Sequence, residues 1–301
     1  MAAFRAVHPD AAHRNATIRS AATVMLVRDR PDLQVFVVRR TPRAVFGPGA
    51  TVFPGGAVDP SDELPGDRII GLDDVAASAE LGLPSGGLAR RVAAVRECFE
   101  EAGILLADPA AHHADDAGDA DDTLAIALPD LRAWRDAINA GHATLGQVLE
   151  SEDLVVDVSG LRVFSHWLTP VGAPRRYDTW FFVARSPEDQ DGLHDDSELV
   201  ASEWVRPMDA LRRHARGDIE LILPTVRSLE ALARYPTVET LFAALDSVPR
   251  EDVHRPLVIA DAAGERVAMP GDDLTRARTW TIPLPDIDIR SEAGLAAEGV
   301  S

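Results

Sequence analysis

The chain has 301 residues and a formal net charge of −19, so it is strongly acidic. This balance argues against nucleic acid as a partner, because phosphate contacts need clustered cations. With 46% hydrophobic and 26% charged residues, the composition is ordinary for a soluble globular protein. The length suits one large domain, or a domain with a substantial extension.

The cellular compartment is predicted from the cysteine content and from the absence of targeting patterns. Cys98 is the single cysteine and cannot form an intramolecular disulfide, which indicates a reducing environment. No apolar run reaches the length of a membrane span, and residues 1–20 lack the apolar core of a signal peptide. We therefore predict a cytoplasmic protein with no membrane partner.

The first part of the chain reads as a loose arm followed by strands. Residues 1–19 show no periodicity, whereas residues 21–27 and 33–38 are β-branched apolar runs that predict a hairpin. A glycine-rich loop and a short strand at 51–53 follow. Planar guanidinium groups beside such a loop could bind phosphate. The alternative is that these arginines only mark the solvated end of a strand. The arginines in question are Arg39, Arg40 and Arg43.

A polar segment and a long helix come next. Residues 59–85 are interrupted by proline and glycine, which predicts a surface excursion containing one short helix at 73–80. Residues 88–102 then show helical periodicity, with Gly103 placed to end the helix. With Glu97 set at zero on a helical wheel, Glu101 lies at about +40° and Glu100 at about −60°. Apolar residues, including Phe99, fall on the opposite face.

Three carboxylates on one arc repel one another and raise each other's pKa unless a positive charge lies among them. Hard divalent cations take oxygen ligands of this kind and share the phosphates of a substrate. A solvated acidic face is the simpler interpretation of an isolated E-x-x-E-E pattern. The pattern here is longer, because Arg96 precedes the glutamates and Gly103 follows them.

Shorter patterns predict the remaining elements. An acidic segment at 194–203 contains Glu198 and Glu203, and a second one at 108–122 reads as a solvated loop. Arg175 and Arg176 precede one of the predicted strands. The predicted strands are 104–106, 163–168 and 179–184, the predicted helices are 131–140, 145–149, 208–215, 224–234 and 238–245, and a hairpin is predicted at 256–267.

Two of these stretches together resemble the Nudix box. Arg96 to Ile104 is similar to its second half, Arg-Glu-Uaa-x-Glu-Glu-x-Gly-Uaa, where Uaa is a bulky aliphatic residue. Phe53-Pro54-Gly55-Gly56 resembles the glycine turn that opens the box. Between them the chain departs from the pattern, since a long insertion intervenes. Counting from Gly56 places Asp62 where the family has Glu, and counting back from Arg96 places Leu88 there.

The resemblance implies an α+β fold, a Nudix-type α/β/α sandwich with a mixed β-sheet, over residues 20–215. Residues 216–301 would form a C-terminal extension of helices and the hairpin. The family hydrolyses nucleoside diphosphates linked to another group, with Mg²⁺ or Mn²⁺. By resemblance the metal ligands are the Gly56 carbonyl, Glu97, Glu100 and Glu101, and Arg96 orients Glu97. The general base stays open between a helix glutamate and Glu198, with Glu203 as the second loop candidate.

The long insertion resembles the branch that includes coenzyme A diphosphatases. Coenzyme A or an acyl derivative is therefore the leading substrate, and NADH, ADP-ribose, nucleotide sugars and dinucleoside polyphosphates are the alternatives. A homodimer is left open. A binding or regulatory module that has lost catalysis is the alternative of another class, but such modules usually lose box carboxylates, which this chain retains. The expected substrate-binding residues are Arg39, Arg40, Arg43 and Arg176.

Overall fold

A computed structural model of the chain describes residues 5–6, 17–44, 47–110, 131–170, 175–188, 190, 192, 199–247, 257–261 and 264–268. The strands are β1 Arg5–Ala6, β2 Ile18–Asp29, β3 Leu33–Arg40, β4 Thr51–Val52, β5 Gly55–Ala57, β6 Ile69–Ile70, β7 Asp108–Pro109, β8 Leu154–Asp157, β9 Arg162–Leu168, β10 Arg176–Arg185, β11 Leu199–Val205, β12 Leu257–Asp261 and β13 Gly264–Ala268. The helices are α1 Asp74–Leu81, α2 Gly87–Ala102, α3 Arg132–Asn139, α4 Leu145–Ser151, α5 Pro207–Arg216, α6 Leu223–Leu232 and α7 Val238–Ser247.

A seven-stranded sheet forms the centre of the fold, with the order β11-β3-β2-β10-β9. Strand β4 pairs with β3, and β5 pairs with β2. Strands β2 and β10 run parallel, from Ile18 opposite Arg176 to Val27 opposite Arg185, and the other pairs in this sheet are antiparallel. The sheet is therefore mixed, as predicted.

Alternate residues of the strands point into two separate cores, one on each face of the sheet. Val24 and Phe182 belong to the core covered by α2, whereas Met25 and Val183 belong to the core covered by α5, α6 and α7. This alternation follows from the period of two along a strand. The predicted α/β/α sandwich is confirmed, and the C-terminal helices α6 and α7 supply part of its second helical layer.

The faces of α2 are those that the sequence predicted. Val92, Val95 and Phe99 are at most 2% exposed and pack into the core. Gly103, at φ 68°, ends the helix in the left-handed region, where a residue with a side chain would be strained. The glutamate-bearing side of α2 is consequently turned away from this apolar core and lies against β5.

Some predictions for the elements around α2 were wrong. Residues 104–106 do not form a strand, although Ile104 and Leu105 are fully buried. The side-chain amide of Gln190 takes the place of a neighbouring strand, because it accepts a hydrogen bond from the Leu105 N–H (2.9 Å) and donates one to the Leu105 carbonyl (3.0 Å).

The N-terminal arm is also more ordered than predicted at two places. Arg5 and Ala6 form β1, which pairs with β12 beside the predicted C-terminal hairpin of β12 and β13. The long strand β2 already begins at Ile18. A smaller three-stranded sheet, in the order β6-β8-β7, lies outside the central sheet. Most of the predicted acidic loop at 108–122 lies outside the described residues.

Candidate active site

Arg96 is the centre of a largely buried polar cluster between α2 and β5. Its Nε and Nη2 donate to Asp62 Oδ1 (2.7 Å) and Oδ2 (3.1 Å). Its Nη1 donates to Glu97 Oε1 (2.9 Å) and to both carboxylate oxygens of Glu100 (3.2 Å). Its Nη2 also reaches the Ala57 carbonyl at 2.9 Å. One guanidinium group thus joins the glycine turn, the insertion and two of the helix glutamates.

Asp62 occupies the position that the count from Gly56 predicts. A short 3-10 turn, Pro60–Asp62, follows β5 and carries the side chain back to Arg96. Asp62 is 1% exposed, and the Asp59 N–H donates to its Oδ2 at 2.7 Å. The backward count from Arg96 is wrong, because Leu88 lies in the first turn of α2 and packs against the core.

The glycine turn lies directly against the carboxylates. A Cβ atom on Gly56 would lie 2.2 Å from Glu97 Oε1, so a larger residue there would push the Glu97 carboxylate out of its place. The neighbouring Gly55 N–H donates to Glu101 Oε2 at 3.0 Å. Backbone groups of β5 therefore contact the two glutamates that lie one helical turn apart on α2.

The charges in this cluster shift the acidities of its members. Burial alone would lower the pKa of Arg96, but the hydrogen bonds that it donates to Asp62 and the charges of Glu97 and Glu100 outweigh this effect and raise the pKa. Burial, opposed by Arg96 and reinforced by the charge of Glu100, raises the pKa of Glu97 to about 7. Keeping Glu97 ionised near neutral pH is therefore costly until further positive charge is supplied.

The oxygen donors of this cluster suit a hard divalent cation. Within the residues that the structure describes, no three acidic, histidine or cysteine side chains are already assembled around one metal position. The three glutamates do not converge on one point, because Glu97 and Glu100 are turned toward Arg96 whereas Glu101 is turned toward Gly55. The donors are carboxylates on one helical face beside a glycine turn, and no sulfur or imidazole is among them.

The predicted phosphate-binding arginines do not lie together. Arg40 continues the alternation of Phe36 and Val38, so it lies on the α2 face of the sheet, and its Nε is buried without a hydrogen-bond partner. Arg39 points to the opposite face and is exposed. Arg43 is exposed in the turn that follows β3.

The structure also places the second arginine pair, Arg175 and Arg176, and Glu203 of the acidic segment. Arg176 is buried at the start of β10 and donates from Nε to the Thr169 carbonyl (3.2 Å), whereas Arg175 is exposed. Glu203 accepts from Arg213 (2.7 Å) and lies opposite Val37 on the face away from α2, so it is wrong as a base candidate. Glu198 lies outside the described residues.

The insertion contacts α2, which the sequence reading as a surface excursion missed. The Asp74 carboxylate of α1 accepts from the backbone N–H groups of Gly86 (3.1 Å) and Leu88 (3.0 Å), and Ser78 Oγ accepts from the Gly87 N–H (2.9 Å). These are N–H groups at the start of α2, which lack partners inside the helix. The acidic residue Asp74 at the start of α1 was the sequence signal from which this contact with α2 could have been predicted.

A buried arginine makes a second connection between the insertion and α2. Arg91, 1% exposed, forms an ion pair with Glu80 of α1 and donates to the carbonyls of Val158 and Leu161. At the other end of α2, Arg135 of α3 donates to the backbone carbonyls of Glu100 and Glu101. The helix that carries the carboxylates is therefore held at both ends by segments outside the recognised pattern.

Comparison with known proteins agrees with this architecture. The sequence model of the NUDT19 Nudix domain matches residues 72–232, which is more than half of the chain. The chain therefore belongs to the Nudix hydrolases, in the family that this domain defines, and it is a pyrophosphohydrolase. The prediction of a Nudix enzyme, rather than a module without catalysis, is confirmed.

Individual relatives share most of the chain. It is 30% identical over 302 residues to acyl-coenzyme A diphosphatase NUDT19 of Gallus gallus, covering 85% of this chain and 79% of the relative. The corresponding Homo sapiens protein is 29% identical, with 80% and 72% covered. A crystal structure of a Nudix hydrolase from Alicyclobacillus acidocaldarius is similar with a TM-score of 0.62 and 28% identity, covering 79% of this chain and all of that chain.

The part of the chain that the structure describes contains no helix with the length and apolar character needed to cross a membrane.

Proposed function

We propose that the protein hydrolyses the diphosphate linkage of coenzyme A or an acyl derivative, using Mg²⁺ or Mn²⁺. The observation that carries the proposal is the contact of Arg96 with both Glu97 and Glu100 beside the Gly56 turn. The substrate is taken from the relatives, which are named acyl-coenzyme A diphosphatases and align over most of this chain.

The proposed metal ligands are the Gly56 carbonyl and the carboxylates of Glu97, Glu100 and Glu101. All are oxygen donors, which is the chemistry that Mg²⁺ and Mn²⁺ prefer. The raised pKa of Glu97 supports the assignment, because a cation would relieve the cost of its buried charge. When bound, such an ion neutralises the diphosphate and lowers the pKa of a coordinated water.

The reaction is a substitution at phosphorus by water. The water oxygen forms a new bond to one phosphorus, the anhydride P–O bond breaks, and the second phosphate leaves with the bridging oxygen. The proton of the water passes to a carboxylate, either a helix glutamate or Glu198. Arg96 keeps Glu97 and Glu100 in place during this step, because its other donors are fixed by Asp62.

The proposed contacts to the substrate are arginines. Coenzyme A carries a 3′-phosphate that NADH and ADP-ribose lack at that position, and a guanidinium fork is a strong means to recognise it. Arg40 and Arg43 are the preferred candidates, since Arg40 lies on the α2 face and Arg43 is exposed after it. Arg39 is less favoured because it lies on the face of the sheet away from α2, and Arg176 because it is buried against Thr169.

A substrate panel tests the proposal. Purified protein with Mg²⁺ is incubated with coenzyme A, an acyl-coenzyme A, NADH and ADP-ribose, and the products are read by mass spectrometry. We expect 3′-phosphorylated AMP derivatives and phosphopantetheine, or its acyl form, from the first two compounds. Hydrolysis of NADH or ADP-ribose with coenzyme A left intact would overturn the substrate assignment and leave the Nudix hydrolase class standing. The cytoplasmic location and the homodimer stay predictions. Cell fractionation tests the first, and a measurement of molecular size in solution tests the second.

A further inference from the structure

The C-terminal end of α2 is bound by a residue from a different helix. Arg135 of α3 donates from Nε to the Glu100 carbonyl at 2.9 Å and from Nη2 to the Glu101 carbonyl at 3.0 Å. Asn139, one turn further along α3, adds a longer bond of 3.4 Å to the Glu100 carbonyl. These two carbonyls belong to consecutive residues whose side chains we propose as metal ligands.

Carbonyl groups in the last turn of a helix have no partner within that helix. In α2 the Phe99 carbonyl accepts from the Gly103 N–H at 3.0 Å, as a C-terminal glycine turn provides. The next two carbonyls are the ones that the Arg135 fork reaches. The rigid planar guanidinium therefore fixes two successive peptide groups at once.

The electrostatics of this helix end make such a contact useful. The carboxylates of Glu100 and Glu101 lie in the last turn of α2, where the helix dipole is negative and disfavours further negative charge. A cation at the carbonyl groups offsets this. The same cation would also repel a metal ion, so loss of the arginine has two effects of opposite sign: the ligands become less ordered, and the local potential becomes more attractive to Mg²⁺.

We propose that Arg135 is a positioning residue for the metal site. Its fork holds the backbone of Glu100 and Glu101, and this sets the directions in which their carboxylates leave the helix. The ordering effect outweighs the repulsion because both hydrogen bonds act directly on the peptide groups of the ligands. The proposal rests on the metal site of the proposed function, and it adds a residue that lies outside the Nudix box.

Metal binding without substrate tests this role in the full-length chain. Mn²⁺ is titrated into wild type, Arg135→Ala and Arg135→Lys, and the free ion is measured by electron paramagnetic resonance. We expect the Mn²⁺ dissociation constant of Arg135→Ala to rise about tenfold or more, as is usual when a group that orients a metal ligand is removed. Arg135→Lys should be weakened as well, since an ammonium group keeps the charge but lacks the fork.

The matched control is Arg234→Ala. Arg234 also donates from Nε to a carbonyl in the last turn of a helix, that of Glu230 in α6, at 3.2 Å. Its removal should leave Mn²⁺ affinity unchanged, and thermal unfolding of every variant checks that the fold survives. We also expect kcat to fall in Arg135→Ala at saturating Mg²⁺ and coenzyme A.

Three results would overturn the proposal. Unchanged or tighter Mn²⁺ binding by folded Arg135→Ala would show that positioning is not the dominant effect. Wild-type affinity in Arg135→Lys would show that charge alone suffices, and this variant also decides the question if Arg135→Ala unfolds. Absence of Mn²⁺ binding by the wild type would instead reject the metal site of the proposed function, and this proposal with it.

Discussion

Asp62 and Arg96 form a two-pronged ion pair across the glycine turn, with the Nε–Oδ1 distance at 2.7 Å and the Nη2–Oδ2 distance at 3.1 Å. Both side chains are at most 9% exposed. The pair links the start of the insertion to the helix that carries the glutamates. Because Arg96 also holds Glu97 and Glu100, the position of those carboxylates depends on a residue from outside the helix.

Removing Asp62 should therefore damage both stability and activity. Asp62→Ala leaves a buried guanidinium without its main partner, and we expect a loss of about 3–5 kcal/mol in the free energy of unfolding. Urea denaturation measures it. The control is Asp32→Ala, because Asp32 also pairs with an arginine, Arg206 at 3.2 Å, but at an exposed site where such pairs add little to stability. Equal losses in the two variants would contradict the role of Asp62.

The helix glutamates are expected to act in catalysis and not in folding. Glu100→Gln and Glu101→Gln should each lower kcat by at least about a hundredfold, the scale of a lost electrostatic contact in the transition state. Unfolding temperatures should change little, because both changes preserve shape. Glu230→Gln on α6 is the control and should keep full activity. Full turnover in either helix variant would remove that residue from the proposed site.

The raised pKa of Glu97 predicts a pH dependence of stability in the metal-free protein. The pKa is about 7 in the folded chain against an ordinary value of 4.5, so folding favours the protonated form. The contribution is complete below the lower value, is lost as the pH rises toward 7, and is absent above it, an effect on the order of 3 kcal/mol. We expect this trend in EDTA when wild type is compared with Glu97→Gln. A difference between the two that does not vary from pH 5 to 8 would contradict it.

The contact between α1 and α2 predicts that the insertion supports the fold. Asp74→Ala removes the acceptor for two N–H groups at the start of α2 and should cost about 1–2 kcal/mol in unfolding free energy. Asp67→Ala, at an exposed position in the same insertion, should have little effect. Deletion of residues 64–82 is expected to unfold the protein, because the contacts of Ser78 and Glu80 with α2 are lost as well. A stable, active deletion variant would refute this.

Substrate selection is expected to depend on an arginine that is not part of the carboxylate cluster. Arg43→Ala should reduce kcat/KM for coenzyme A more than for 3′-dephospho-coenzyme A, since one charge-assisted contact contributes about 1.5–3 kcal/mol. The difference should be roughly ten- to a hundredfold. Arg39→Ala, on the opposite face of the sheet, is the control. Equal losses on both substrates would show that Arg43 does not read the 3′-phosphate.

The helix with its two faces could be predicted from the sequence because helical periodicity is a local property. Residues three and four apart share a face whatever the rest of the chain does, so Glu97 and Glu101 were placed together and Phe99 opposite them. The glycine turn was likewise predicted from its own residues. Strand alternation is equally local, and it separates Arg39 from Arg40.

The tertiary structure decided which distant groups meet this helix. The count from Gly56 indicated Asp62, whereas the count back from Arg96 indicated Leu88. The 3-10 turn decides between them, because it carries Asp62 back to Arg96. Ile104 and Leu105 have the apolar pattern of a strand, yet a glutamine amide satisfies the backbone of Leu105. Arg135 gave no sequence signal at all. Hydrogen bonds between residues far apart in the chain depend on how whole elements pack, and no local pattern records that path.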